Sequence, residues 1–471
     1  MSSASRPGAV PGSFRDPAGF VFREGRAVHR ALTREGASAF RALAASGLLE
    51  RLTASGAVAA TEEVPADARA PLDARFPGTE AFLSHREVPW LVEPCEWTFE
   101  MLREAALLHL EVLERSRREG FTLLDASAYN VQFVRGRPLL IDTSALAPDP
   151  DPSLWPAYGR FCRHFVYPLL LGSAGLADPA EYFLPHLDGL DPRAVARRLG
   201  WGSLRPRAFF DVFLQAASQS RAAADPEALA AALAGRGPAA REGGAAFQGL
   251  NLRRLRRLVE GLRPPRRAPA WAEHDPRDAH PAAALEWKRG RVERFVAEAR
   301  PATLVDLGCR VGEHSLPAAA AGASVACVDA DPAALERLRA GARASGADAT
   351  CLRVDLLSPT PALGVGAAER PGFFARVRGD AALALGLAHH LLSSGMPVDA
   401  FAGLLDAVAA RRLLVEFVPP EDPLFARLSA LRRPAGVGRG VFLAAFEGRF
   451  RMLREEPVPG GGRVLFTFER A

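Results

Sequence analysis

Two glycines, Gly308 and Gly312, and the carboxylates spaced around them form the pattern in this 471-residue chain that most directly implies chemistry. The segment Val305-Asp306-Leu307-Gly308-Cys309-Arg310-Val311-Gly312 follows a short apolar run and opens a helix. Gly308 lets the chain turn tightly and lets a ligand approach the backbone. Gly312 lets the helix start close to a sheet, and the helix N-terminus then offers free N–H groups. Such turns serve dinucleotides, phosphates or other nucleosides. The spacing is neither Gly-x-Gly-x-x-Gly nor a phosphate loop ending in Gly-Lys-Ser/Thr. About twenty residues further on, a second apolar run ends at Asp329, where a carboxylate accepts hydrogen bonds from ribose hydroxyls. A third ends at Asp355-Leu356, an acceptor position for an adenine amino group.

The elements that would position these residues follow from the texture of the sequence. From residue 301 onward short apolar runs alternate with helical patterns: 303–307, 324–328, 350–354, 381–387 and 412–418. That alternation predicts an α/β, doubly wound parallel sheet. Residues 449–457, the turn 459–462 and residues 463–470 predict a closing antiparallel hairpin. Together they place a sheet domain at 276–471. Upstream the pattern is mostly helical. Residues 1–12 read as an irregular arm, 26–56 as helix, 64–78 as a Pro-rich stretch and 97–119 as one long helix ended by Gly120. The runs 131–134 and 139–141, bridged by Arg135-Gly136-Arg137, read as a hairpin. Residues 13–225 are therefore expected to form a helical domain, with a linker and helix at 226–275.

Composition limits the function classes. Hydrophobic residues make up 48% and charged residues 24%, which excludes a disordered or fibrous chain. No run of about 18 apolar residues exists, and the start has no apolar signal core, so no membrane span is expected and a cytoplasmic location is. Five cysteines without a C-x-x-C pair argue against a disulfide scaffold or a zinc ribbon. Cys309 and Cys351 read as buried small residues. A net charge of +5 does not by itself imply nucleic acid. Lys288 is the single lysine; every other basic residue is arginine.

The glycine turn, the acid ending the second run, the Asp after the third and the terminal hairpin resemble, in that order, the class I S-adenosylmethionine-dependent methyltransferases. The resemblance implies a Rossmann-like seven-stranded sheet and S-adenosylmethionine as cofactor. It places Asp306 beside the methionine part and assigns cofactor contacts to Asp306, Gly308, Cys309, Gly312, Asp329, Asp355 and Leu356. Further segments look like a subgroup that includes host-specificity nodulation-type methyltransferases of bacteria: Asp380 to Leu391, Leu413 to Pro423, Ser13 to Phe20, Pro94 to Trp97 and Asp125 to Asn130. Arg310 departs from that group, where Asn is expected. His389 and His390 follow the fourth run, and a His there could take a proton from a hydroxyl as it is methylated. The plain reading is a pair at a helix start, one buried and one solvated. Glu416 is a candidate base or substrate acceptor. No metal is required.

Asp125-x-x-x-x-Asn130, a hairpin, then Ile141-Asp142 resembles the catalytic loop and metal-binding Asp of protein kinases and aminoglycoside-type phosphotransferases. If that site were live, Asn130 and Asp142 would hold the metal. Against phosphoryl transfer stand three features: no lysine precedes position 288, no Gly-rich covering loop is found, and Leu123 replaces the usual His. The expectation is a helical, kinase-C-lobe-like domain without kinase activity that helps bind the acceptor; the plain alternative is a turn with capping side chains. Arg253, Arg254, Arg256, Arg257, Arg263, Arg266 and Arg267 read as a solvated helix face rather than an RNA or acidic-glycan site. The aromatic stretch Trp155, Tyr158, Phe161, Phe165 and Tyr167 reads as core. The reaction expected is methyl transfer to an oxygen or nitrogen of a small molecule or glycan. A phosphotransferase or bifunctional enzyme, an RNA methyltransferase and a non-catalytic cofactor binder are the alternatives.

Overall fold

The computed structural model describes residues 8–25, 27–199, 211–212, 238–265, 282–430 and 436–471. Residues 1–7 of the expected arm, and 226–237 and 266–275 of the expected linker, lie outside the described residues, as do Arg266 and Arg267.

The first half is not mostly helical at its start. Strands β1 (Gly19–Glu24), β2 (Ala27–Leu32), β3 (Thr61–Glu63) and β4 (Ala81–His85) form an antiparallel sheet in the order β1-β2-β4-β3. This corrects the reading of residues 26–56 as one helix. The apolar residues Val28, Ala31 and Leu32 suit either periodicity. Thr33 then caps α1 (Arg34–Ala45) by accepting from the Gly36 N–H, which ends the strand and starts the helix within one residue. The short α2 (Leu48–Ala54) follows.

The long helix α3 (Phe99–Arg117) forms as expected, capped by Thr98. Around it lie β5 (Phe121–Leu123), the hairpin β6 (Val131–Val134) and β7 (Arg137–Leu140), and β8 (Leu146–Pro148). Trp155, Phe161, Phe165 and Tyr167 are buried in the core of this half. Within 226–275, expected as linker and helix, lies α4 (Pro238–Gly261). Its Leu255, Leu258 and Val259 are buried in the same core as α3. Arg254 is not a solvated residue: it pairs with the fully buried Asp211, and Arg256 reaches Glu114 on α3.

Helix α5 (Ala282–Ala299) leads into the main sheet: β9 (Thr303–Leu307), β10 (Ser324–Asp329), β11 (Ala349–Arg353), β12 (Gly379–Ala384), β13 (Ala409–Phe417), β14 (Phe450–Pro457) and β15 (Val464–Arg470). Their order is β11-β10-β9-β12-β13-β15-β14. The first five are parallel, and the final hairpin is antiparallel. Alternate residues serve opposite faces. Leu304, Val325, Cys327 and Leu383 pack with Val292, Phe295 and Val296 of α5. Val305, Leu307, Val328 and Leu352 join the apolar cluster that continues through Trp97 and Phe133 of the first half.

The two halves therefore share a core. At the sheet edge, the Thr350 hydroxyl of β11 donates to the Phe133 carbonyl of β6. A fully buried ion pair joins Glu96 to Arg376. Glu104 on α3 pairs with Arg339 and Arg343.

Candidate active site

The glycine turn joins β9 to α6 (Ser315–Ala320). Gly308 has φ +74° and Gly312 φ +88°. A Cβ on Gly308 would lie 3.3 Å from Leu387 Cδ1, and one on Gly312 would lie 2.7 Å from Leu338 Cγ. Both positions thus need the left-handed backbone and the missing side chain. The Gly308 and Cys309 N–H groups donate to the Val328 carbonyl, at 2.8 and 3.2 Å, which presses the turn onto the end of β10. Arg310 has φ +48°. Among non-glycine residues Asn tolerates this region best, so the expected Asn and the arginine found here answer to the same backbone position.

Asp329 ends β10. Its Oδ2 accepts the Arg310 N–H at 2.9 Å and its Oδ1 the Asp331 N–H at 2.8 Å. Each oxygen keeps a lone pair for a ribose hydroxyl. Asp355 is exposed just beyond β11, while Leu356 is buried. Asp306 is buried and accepts the Ser315 hydroxyl at 2.5 Å. Burial pushes its carboxyl up to about 7, the Ser315 bond opposing that rise. Cys309 is buried, and burial raises its thiol well above its ordinary value. The glycine cradle, the ringed carboxylate and the exposed acid lie along one edge, and they suit a nucleoside with a cationic amino-acid tail.

The turn after β12 carries His389 and His390 at the start of α7 (Ala388–Ser393). Their rings are tilted by 39° with centroids 4.1 Å apart. His389 is 2% exposed, and neither ring nitrogen has a hydrogen-bond partner. Burial, then His390 and Arg463, hold its imidazole down to about 3, so it is neutral. His390 is half-buried. His314 at the N-cap of α6 was not singled out from sequence. Its Nδ1 is buried without a partner, and burial and Lys288 hold it down to about 4.

Glu416, at the end of β13, is fully buried. Its Oε1 lies 2.6 Å from Lys288 Nζ and 3.6 Å from Arg463 Nη1. Its Oε2 accepts the Gly386 N–H at 2.8 Å. Glu416, a candidate base or substrate acceptor, has its carboxylate engaged by two cations and a backbone N–H, a geometry that suits positioning. Lys288 registered in the sequence only as an oddity of composition, because no local motif marks a residue that acts from a preceding helix.

The other constellation also assembles. Asn130 donates to Asp125 Oδ2 at 3.0 Å, and Arg160 lies 3.2 Å from Asp125 Oδ1. Asp142 Oδ1 lies 3.0 Å from Arg30 Nη2 of β2 and accepts the Ser144 N–H at 3.0 Å. Arg30 also pairs with Asp16. The Asp142 carboxylate thus already holds a cation, and these residues do not fit the role of metal holders that Asn130 and Asp142 would need. Among the described residues, no group of three or more His, Cys, Asp and Glu side chains could hold a metal ion. None of their helices is long and apolar enough to cross a membrane.

Strand order, glycine turn and terminal hairpin define the class: a Rossmann-like α/β fold with a seven-stranded sheet. The chain is 32% identical over 481 residues to nodulation protein NoeA of Rhizobium meliloti (strain 1021), covering 100% of this chain and 98% of that protein. It belongs to the family of that protein. No family model matches it. Solved structures similar to part of it include magnesium protoporphyrin IX methyltransferase from Synechocystis PCC 6803 with bound SAM (19% identity, 44% of this chain and 87% of that one, TM-score 0.31). N-methyltransferase NodS from Bradyrhizobium japonicum WM9 matches at 11% identity over 40% of this chain and 98% of its own, TM-score 0.32. The bifunctional kinase-methyltransferase WbdD matches at 18% over 43% of this chain and 42% of its own, TM-score 0.29.

Proposed function

We propose that this protein transfers the methyl group of S-adenosylmethionine to an oxygen or nitrogen of a small-molecule or glycan acceptor. The observation that carries the reading is the turn from Gly308 to Gly312 pressed against β10, with Asp329 folded around the Arg310 N–H beside it. Asp329 would hold the ribose hydroxyls, Asp355 the adenine amino group, and Asp306 the region of the methionine amine. The backbone around Gly308, Cys309 and Gly312 lets the cofactor approach, and Leu356 supplies an apolar wall. The cofactor supplies an activated methyl on a sulfonium. The chain's contribution is alignment and water exclusion, with His389 or His390 receiving the acceptor's proton. The sheet-covering first half would help to seat the acceptor.

Phosphoryl transfer at Asp125, Asn130 and Asp142 is the weaker reading, because Arg30 occupies the Asp142 carboxylate. Calorimetric titration separates the two. Wild type should bind S-adenosylhomocysteine and Asp329→Ala should bind it at least about tenfold more weakly, the loss of one charge-assisted bond pair. Binding of ATP with magnesium, and not of the homocysteine product, would reverse the assignment.

A further inference from the structure

Lys288 is the single lysine in a chain that otherwise uses arginine, and it is buried on α5 with its ammonium against Glu416. Glu416 holds the Gly386 N–H of the turn that leads to His389. Arg463, from the terminal hairpin, backs Glu416 and is itself held 2.7 Å from Asp422. Two imidazoles lie near this set: His314 at the glycine turn and His389 in the turn after β12. The charge of Lys288 is felt by both. Lys288 is thereby tied, through Glu416 and the Gly386 N–H, to the turn where an acceptor would lie.

The arrangement has unspent hydrogen-bonding capacity. An unsatisfied buried polar group costs about 1–3 kcal/mol, and here three imidazole nitrogens, two on His389 and one on His314, have no partner. Glu416 engages one of the three donors of the ammonium. Arginine would offer a rigid planar fork, whereas lysine is a compact charge on a flexible stem. Such a charge can follow a single oxygen.

We propose that Lys288 contacts the acceptor and selects a hydroxyl oxygen over an amine nitrogen. The inference rests on the methyltransferase reading above. As the oxygen–carbon bond forms, the carbon–sulfur bond breaks with its electron pair left on sulfur, and the hydroxyl proton passes to the His389 imidazole. Negative charge develops on the nucleophilic oxygen as its proton leaves, and a fixed ammonium stabilises that charge. An attacking amine becomes more positive, and the same ammonium opposes it. A buried imidazole held so far down is a weak base, so stabilising the oxyanion is the larger share of the work.

One lysine makes the test direct. Protein labelled with 13Cε-lysine gives one lysine resonance. Wild type is first titrated with S-adenosylhomocysteine by calorimetry; failure to bind would overturn the methyltransferase reading and this inference with it. With the homocysteine product bound, formate is added as an oxyanion probe and methylammonium as an amine probe. Formate should shift the Lys288 resonance saturably and methylammonium should not. Half-saturating formate, read by thermal shift, should rise about tenfold or more in Lys288→Met and much less in Lys288→Arg, which keeps the charge. Product binding with no formate response, an equal response to methylammonium, or unchanged formate binding in a folded Lys288→Met would each overturn the inference.

Discussion

Removing one partner of the Glu96–Arg376 pair should be more damaging than removing both. The side chains are 0% and 3% exposed, and the pair joins the first half to the segment before β12. Arg376 also donates to the Leu91 carbonyl, and Glu96 accepts the Glu93 N–H at 2.9 Å. Arg376→Leu leaves a buried carboxylate with one backbone donor. Breaking such a pair costs about 3–5 kcal/mol, whereas replacing both members by apolar groups is often nearly neutral. Arg376→Leu should therefore lower the urea midpoint strongly. The double variant Glu96→Leu/Arg376→Leu should recover part of that loss, short of wild type because the Glu93 N–H and Leu91 carbonyl lose their partners. A coupling energy of about 2 kcal/mol or more is expected from the double-mutant cycle. Because the core is continuous across both halves, fluorescence and circular dichroism should report one coincident transition in wild type. Strictly additive losses in the cycle would refute the coupling, and two separated transitions in wild type would refute the shared core.

Gly312→Ala should destabilise by about 2–6 kcal/mol. Left-handed strain contributes about 1–3 and crowding of the buried Leu338 a similar amount; chemical denaturation checks this, and a loss under 0.5 would contradict the strain argument. Asp306→Asn should stabilise at neutral pH and weaken S-adenosylhomocysteine binding. A folded carboxyl raised to about 7 contributes stability that is full below about pH 4 and is lost as pH rises through 7; melting temperatures across pH 4–8 should thus be flatter in the variant. His389 works in the opposite sense. Its folded value of about 3 lies below the unfolded 6.5, so its stability is present above pH 6.5 and falls away towards pH 3. His390, Arg463 and Lys288 keep it low, with Asp422 opposing them. Acid destabilisation should be shallower in His389→Phe than in wild type, as read by melting temperature between pH 6 and 4.

The sheet was legible because it is built from local signals. Short apolar runs at 303–307 and 324–328, punctuated by Gly308 and Asp329, occur as strands within a residue of the expected ends, and the triple-glycine turn fixed the final hairpin. The first half was harder to read. In β2 three apolar residues precede Thr33 with a spacing that also suits a helix, and what makes them a strand is pairing with β4 fifty residues away, which local pattern does not contain. Likewise Asp142 carries the spacing of a metal holder, yet its partner is Arg30, brought over by that same sheet. Long-range charges decide the chemistry of a site as much as its motifs do. Lys288 is the clearest case: sequence shows its singularity, but only the packing of α5 against the end of β13 places it against Glu416. A chain that has replaced lysine everywhere else loses little by it on the surface, where either cation is solvated. In a buried site the two cations differ in shape and donor geometry, so exchanging Lys288 for arginine against Glu416 is not a conservative change.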